Sequence, residues 1–208
     1  MSTIKVNNIE NRTGSSITIG GSSTSTVTIT SGATLNGDGS GLTGTMGNLI
    51  NTTSFSAVAS QAINSVFSST YENYKFILNI TAATADANLL LKLRNGVTDK
   101  STNYVRANFG RQSTSGGVVS SSGNTTGFNL DSIDSTATYS SYSGDILNPF
   151  NSNKTIALIS MINLASDNQN YHQNIFSLQT EDYSADGLNL TADAGAITGT
   201  ISIYGYNK

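Results

Sequence analysis

The spacing of apolar residues changes once along the chain. Through the first 46 residues they come in isolated pairs two positions apart: Ile4 and Val6, Ile17 and Ile19, Val27 and Ile29, Ala33 and Leu35, with Gly, Ser, Thr and Asn between them. A period of two predicts short strands. A strand that offers two small apolar side chains cannot bury its face alone, so that face must meet copies of itself on neighbouring chains, as the units of a solenoid do. Three chains wound together satisfy this, whereas a flexible Gly/Ser linker has no need of Ile and Val at regular spacing. The expected trimer contacts are Ile17, Ile19, Val27, Ile29, Leu35 and Leu42. Residues 36–44 then carry four glycines, which allow positive φ and mark a sharp change of path.

From residue 48 the apolar positions are denser and the segments longer. Tyr74, Phe76, Leu78 and Ile80 alternate over 74–80, and Leu89, Leu91 and Leu93 share one face over 88–94, followed by a turn at Asn95-Gly96. Further strands are expected at 104–109, 127–130, 138–147, 155–164, 174–180 and 199–206. Segment 57–66 reads as a strand, although Ala57, Ala62 and Val66 also fit one face of a helix. Tyr139 and Tyr142 are an odd number of positions apart, so in a regular strand they face opposite ways and one belongs to the core. The expected fold class is all-β: a trimeric stalk of short strands followed by an antiparallel β-sandwich, jelly-roll-like head. The expected boundaries are a docking segment 1–15, a stalk 16–47 and a head 48–208.

Composition agrees with strands and narrows the function. Only 37% of residues are hydrophobic and 11% charged, against about 45–50% and 25% in ordinary domains, so solubility rests on hydroxyl and amide groups. A net charge of −3 with nine Tyr and seven Phe separates the chain from disordered sequences, which combine high charge with few aromatics. Without cysteine there is no disulfide framework, thiolate metal site or cysteine nucleophile. No apolar run approaches a membrane span, and the N-terminus lacks the apolar core of a signal peptide, so neither membrane insertion nor general secretion is expected. The slightly acidic balance argues against nucleic acid.

Candidate chemistry is sparse. His172 is the only histidine, so any Ser-His-Asp triad must be built around it, and no Gly-x-Ser-x-Gly turn is present. With Asn170, Tyr171 and the neighbouring amides it reads as an exposed loop, either plainly solvated or suited to carbohydrate contact. Glu10, Glu72 and Glu181 are the only glutamates, and no carboxylate spacing selects a pair for glycoside cleavage. Asn36, Asp38, Ser40 and Gly41 mimic the first half of a calcium loop, but Gly47 stands where the closing carboxylate belongs. No catalytic residue, metal site or cofactor is expected, and the chain reads as a non-enzyme. Half of the ten basic residues, Lys92, Arg94, Lys100, Arg106 and Arg111, fall between 92 and 111. Lys92 and Arg94 share a strand face, with Arg106 expected across a hairpin. Such a face suits anionic lipopolysaccharide, or equally salt bridges to Asp99 and solvent.

Several motifs carry a resemblance. The opening Ser2-Thr3-Ile4-Lys5-Val6-Asn7-Asn8-Ile9, followed by Asn11-Arg12-Thr13-Gly14, resembles the start of fibre proteins of tailed bacteriophages, especially those of cyanobacteria. The Gly37-Asp38-Gly39-Ser40-Gly41-Leu42-Thr43-Gly44 stretch resembles the joint between their stalk and tip. Ile63-Asn64-Ser65-Val66-Phe67 with Tyr71-Glu72-Asn73-Tyr74-Lys75, and the final strand 197–206, are similar to the two ends of a C-terminal module of phage structural proteins. The middle, about 80–195, matches no family by eye. The resemblance implies a virion fibre, commonly trimeric, and does not choose between tail and capsid attachment; the expected location is the virion, on the tail before the capsid, with the chain made in the host cytoplasm. The implied partners are the chain itself, another phage structural protein gripped by the N-terminus, and a host-surface glycan or lipopolysaccharide read by the head. The alternatives are a capsid decoration, cement or head-fibre protein and, further off, a polysaccharide depolymerase.

Overall fold

The computed structural model describes residues 47–112, 118–136, 139–164 and 170–206. The docking segment, the 36–41 loop and the stalk contacts Ile17, Ile19, Val27, Ile29, Leu35 and Leu42 lie outside the described residues, as does the trimeric arrangement expected of them. The described residues contain no helix. Thirteen strands run in order: β1 (Asn48–Val58), β2 (Ser60–Ile63), β3 (Asn73–Ala83), β4 (Ala87–Asn95), β5 (Thr98–Asp99), β6 (Tyr104–Gln112), β7 (Val118–Thr125), β8 (Phe128–Ile133), β9 (Tyr139–Leu147), β10 (Asn153–Leu164), β11 (Tyr171–Tyr183), β12 (Gly187–Ala192) and β13 (Ile197–Tyr206).

They form two antiparallel sheets. The larger has the order β1-β13-β3-β9-β10-β11-β6-β7, and the smaller β2-β12-β4, with β8 and β5 side by side along the far edge of β4. One core lies between them. The large sheet supplies Tyr74, Phe76, Leu78, Ile80, Tyr142, Ile159, Met161, Ile175, Ile201 and Ile203, and the small sheet answers with the predicted leucines 89, 91 and 93 together with Leu188, Leu190, Phe128 and Leu130. Each such side chain contributes about 1.5–3 kcal/mol when fully buried. Tyr104 and Phe128 meet edge to face across the two layers, with ring centroids 5.0 Å apart. The arrangement is β-sandwich-like. Tyr142 is fully buried and Tyr139 exposed, as their odd spacing requires.

Three features shape the layers. At 57–66 the chain is neither helix nor one strand: Ala57 takes φ +51° and the register slips between Phe55 and Val58, so the chain leaves the large sheet as β1 and enters the small one as β2. The expected hairpin placing Arg106 across from Lys92 and Arg94 does not form. Asn95 and Gly96, the latter at φ +56°, turn β4 into the two-residue β5, and β6 then joins the other sheet. On the far edge of β4, between the stretches paired with β8 and β5, the Leu93 N–H donates to the Tyr104 hydroxyl at 3.1 Å, so no buried donor is orphaned there. Finally, Gly144 has no side chain because a Cβ would lie 2.6 Å from the Leu158 carbonyl and 2.8 Å from the Phe76 ring.

Antiparallel pairing sorts the connections to two ends. Asn48 pairs with Gly205, so the described chain enters and leaves at one end. The β3–β4, β6–β7, β8–β9, β10–β11 and β12–β13 connections are all at the opposite, distal end.

Candidate functional site

Outside the core, polar groups converge in a groove of about 470 Å³ lined by β4, β6, the β7–β8 hairpin and Asp193. Asn88 and Leu90 reach it from the outward side of β4, Asn129 from β8, and Arg106 from β6. Gly123 stands opposite Arg106 in the ladder and has no atoms within 4 Å of where a Cβ would be, which keeps the space above the guanidinium open. Ser122, Asn124, Thr125 and Thr126 complete the wall. The β8 floor bends because Asp131 takes φ +73° and the β4–β8 register slips beside it, between Leu89 and Leu90.

The groove's carboxylate is held in place. The Asn88 side-chain amide and backbone N–H each donate to an Asp193 oxygen at 2.7 Å. These two bonds keep the Asp193 carboxyl below its ordinary pKa, so it is an anion at neutral pH. The groove thus presents amides and hydroxyls, a guanidinium on β6 and one carboxylate on the β12–β13 turn, fixed by Asn88 of β4.

The expected basic cluster separates. Arg94 is structural: its Nε donates to Asp99 Oδ1 at 2.7 Å, its Nη1 to Asn64 Oδ1 at 3.2 Å and its Nη2 to the Val97 carbonyl at 3.1 Å. Lys100 pairs with Glu181 and stands 5.7 Å from the Tyr183 ring centre. Lys92 is half-buried on the outward side of β4. Arg111 lies on the other sheet, in register with His172. Of the five, Arg106 alone lines the groove.

Residues 171–174, expected in an exposed loop, are the start of β11 and alternate in direction. Asn170 is half-buried just before the strand. Tyr171 turns inward toward a depression of about 170 Å³ shared with Asp131, Asn163 and Gln173. There Asn108 Nδ2 donates to Gln173 Oε1 at 2.6 Å and to Asp131 Oδ2 at 3.2 Å. His172 faces outward between Ile162 and Arg111, its Nε2 3.4 Å from Ser160 Oγ. The three residues therefore do not form one contact surface.

Most of the groove went unread in the sequence. Asn88, Asn124, Asn129 and Asp193 are ordinary in a chain so rich in Asn, Ser and Thr, and only pairing β4 with β8 and β6 with β7 brings them together. The one local signal was Asp193-Ala194-Gly195, a turn motif with Gly195 at φ +63°. No group of three or more acidic, His or Cys side chains suited to a metal ion occurs among the described residues, nor any helix long and apolar enough to cross a membrane. Comparison of the chain with protein-family models, with curated proteins and with solved structures finds no match.

Proposed function

We propose that the chain is a virion fibre protein of a tailed bacteriophage, assembled as a homotrimer, whose head binds a glycan of the host surface. The observation that carries the glycan reading is the groove around Arg106 and Asp193. Amides and a carboxylate bond pairwise to adjacent sugar hydroxyls, and a guanidinium suits an acidic sugar or phosphate, so the preferred ligand class is an anionic surface polysaccharide. Strand-borne groups need little ordering on contact. Weak affinity at one groove suffices, since three heads on one fibre multiply it. The fibre and its trimeric stalk are supported by the N-terminal motifs and by the paired apolar residues that need partners.

Binding is favoured over cleavage because glycoside hydrolysis uses two carboxyl groups about 5–9.5 Å apart, and the groove is lined by Asp193 as its one carboxylate, already engaged by Asn88. The test is binding of the full chain to immobilised lipopolysaccharide and to a neutral bacterial polysaccharide, with released reducing ends assayed in parallel. Saturable binding that falls at least tenfold in Arg106→Ala and Asp193→Asn, with unchanged melting temperatures, is expected. Binding indifferent to both substitutions, or none to either polysaccharide, overturns the reading; release of reducing ends makes the head a depolymerase.

A further inference from the structure

The outward side of the large sheet carries an apolar patch that the fold itself does not use. On β10, Ile156, Leu158, Ile162 and Leu164 face outward, and Phe176 and Phe109 do so on β11 and β6. These six side chains expose between 37% and 57% of their surface. Together they leave on the order of 500 Å² of apolar area open, at the upper end for a single-chain protein. Phe176 is a ridge between two depressions. One, about 350 Å³, is lined by Val105, Ala107, Ile156, Leu158 and Leu178, with Arg106 and Ser177 among them. The other, about 230 Å³, runs from Leu158 to Ser143, Asn174 and Lys75.

We infer that this face, the outward side of β6, β11 and β10, is where copies of the chain dock on one another in the assembled head. The inference rests on the homotrimer reading and adds to it the surface used. Two observations single out a copy as the occupant, the shape of the patch and the sparse apolar content of the chain's first 46 residues. Ridge and hollow lie on the same surface, so one copy's Phe109 or Phe176 can enter its neighbour's hollow, as a ring of identical subunits requires. Of the charges around the patch, Lys75 pairs with Asp145 at 3.4 Å and Lys154 with Asp182 at 3.6 Å, while Arg106 lines the larger hollow and Arg111 stands beside Phe109 on β6. The chain's own first 46 residues offer apolar side chains only in separated pairs, too few to cover three adjacent strands. A stable contact buries about 800 Å² per partner, and the apolar area of the patch, on the order of 500 Å², supplies more than half of it.

The test combines native mass measurement of the full chain with hydroxyl-radical footprinting of its side chains. The expected result is a trimer in which Phe109 and Phe176 are modified at least five-fold more slowly than their exposure predicts, while Val97, 86% exposed on a turn, reacts freely. In Leu158→Glu/Phe176→Glu, Phe109 and Ile162 are expected to regain reactivity, with near-native circular dichroism. Thr200→Glu/Ser202→Glu on the same sheet is expected to leave protection intact. A trimer with Phe109 and Phe176 freely reactive overturns this surface while leaving self-assembly standing. A monomer with both reactive overturns the surface and the trimer together. A monomer with both protected assigns the cover to the chain's own N-terminal segment and overturns the inference.

Discussion

The outward side of the large sheet is two surfaces in one. Across β1, β13 and β3 it presents Thr52, Ser54, Thr198, Thr200, Ser202, Asn79 and Thr81, some bonded strand to strand, as Thr52 is to Ser202 at 2.9 Å. Across β10, β11 and β6 it presents mainly Ile, Leu, Phe and Val, with Ser160, His172, Asn174 and Arg111 among them. Inward, the first half is apolar, with Ile201 and Ile203, whereas the second mixes Ile159, Met161 and Ile175 with buried Asn108, Gln173, Ser177 and Gln179. A half-buried antiparallel sheet needs one apolar face, and the hydroxyl half meets that need with a solvated outer side. The second half leaves Phe109, Ile156, Leu158, Ile162, Leu164 and Phe176 exposed outward, the surface proposed above for contact between copies.

The largest expected effect separates inside from outside on a single strand. Ile159→Ala removes a core side chain and is expected to cost about 2–5 kcal/mol in urea denaturation. Leu158→Ala, one residue away but outward, is expected to move stability by under about 0.5 kcal/mol in a Phe176→Glu chain, where the outer face is free. Equal costs would erase the distinction between the two faces. Next in size, making the hydroxyl half apolar with Thr200→Leu/Ser202→Leu creates a second adhesive face, and light scattering is expected to report assemblies larger than a trimer. Unchanged size would mean that outward apolar residues on this sheet do not drive association.

The smallest effect is the pH dependence. Hydrogen bonds from Asn88 lower the Asp193 pKa, those from Ser135 lower Asp86, and the bond from Lys100 lowers Glu181. A carboxyl with a lowered folded-state pKa stabilises the fold above its unfolded value of about 4 and loses that contribution as pH falls through the folded value. All three are solvent-exposed, so a shallow fall in melting temperature below about pH 4 is expected, with Asp193→Asn flattening part of it. A slope that begins well above about pH 4 would contradict the assignment to these carboxyls.

Much of the fold was legible because apolar positions alternate in β3, β4 and β13, whereas β10 has its more apolar set, Ile156, Leu158, Ile162 and Leu164, on the outward side. The strands that escaped lack a clean period: β1 spaces Leu49, Ile50, Phe55 and Val58 irregularly, β7 is Val118-Val119 followed by Ser, Gly and Asn, and β12 is six residues whose burial on both sides hides its period. Which strand joins which sheet was not legible. That choice depends on a bulge at Ala57 and a two-residue strand after Gly96, neither of which leaves a hydrophobic signature. The groove was lost for the same reason, since it exists only where distant strands pair.

The most direct test of the fibre reading is to locate the chain in intact virus particles by cryo-electron microscopy. The account predicts three-fold density at the tail, with the apolar halves of three heads facing one another and the Arg106–Asp193 groove open to solvent. Density spread over the capsid in hundreds of copies would contradict host binding and leave decoration of the shell as the better account.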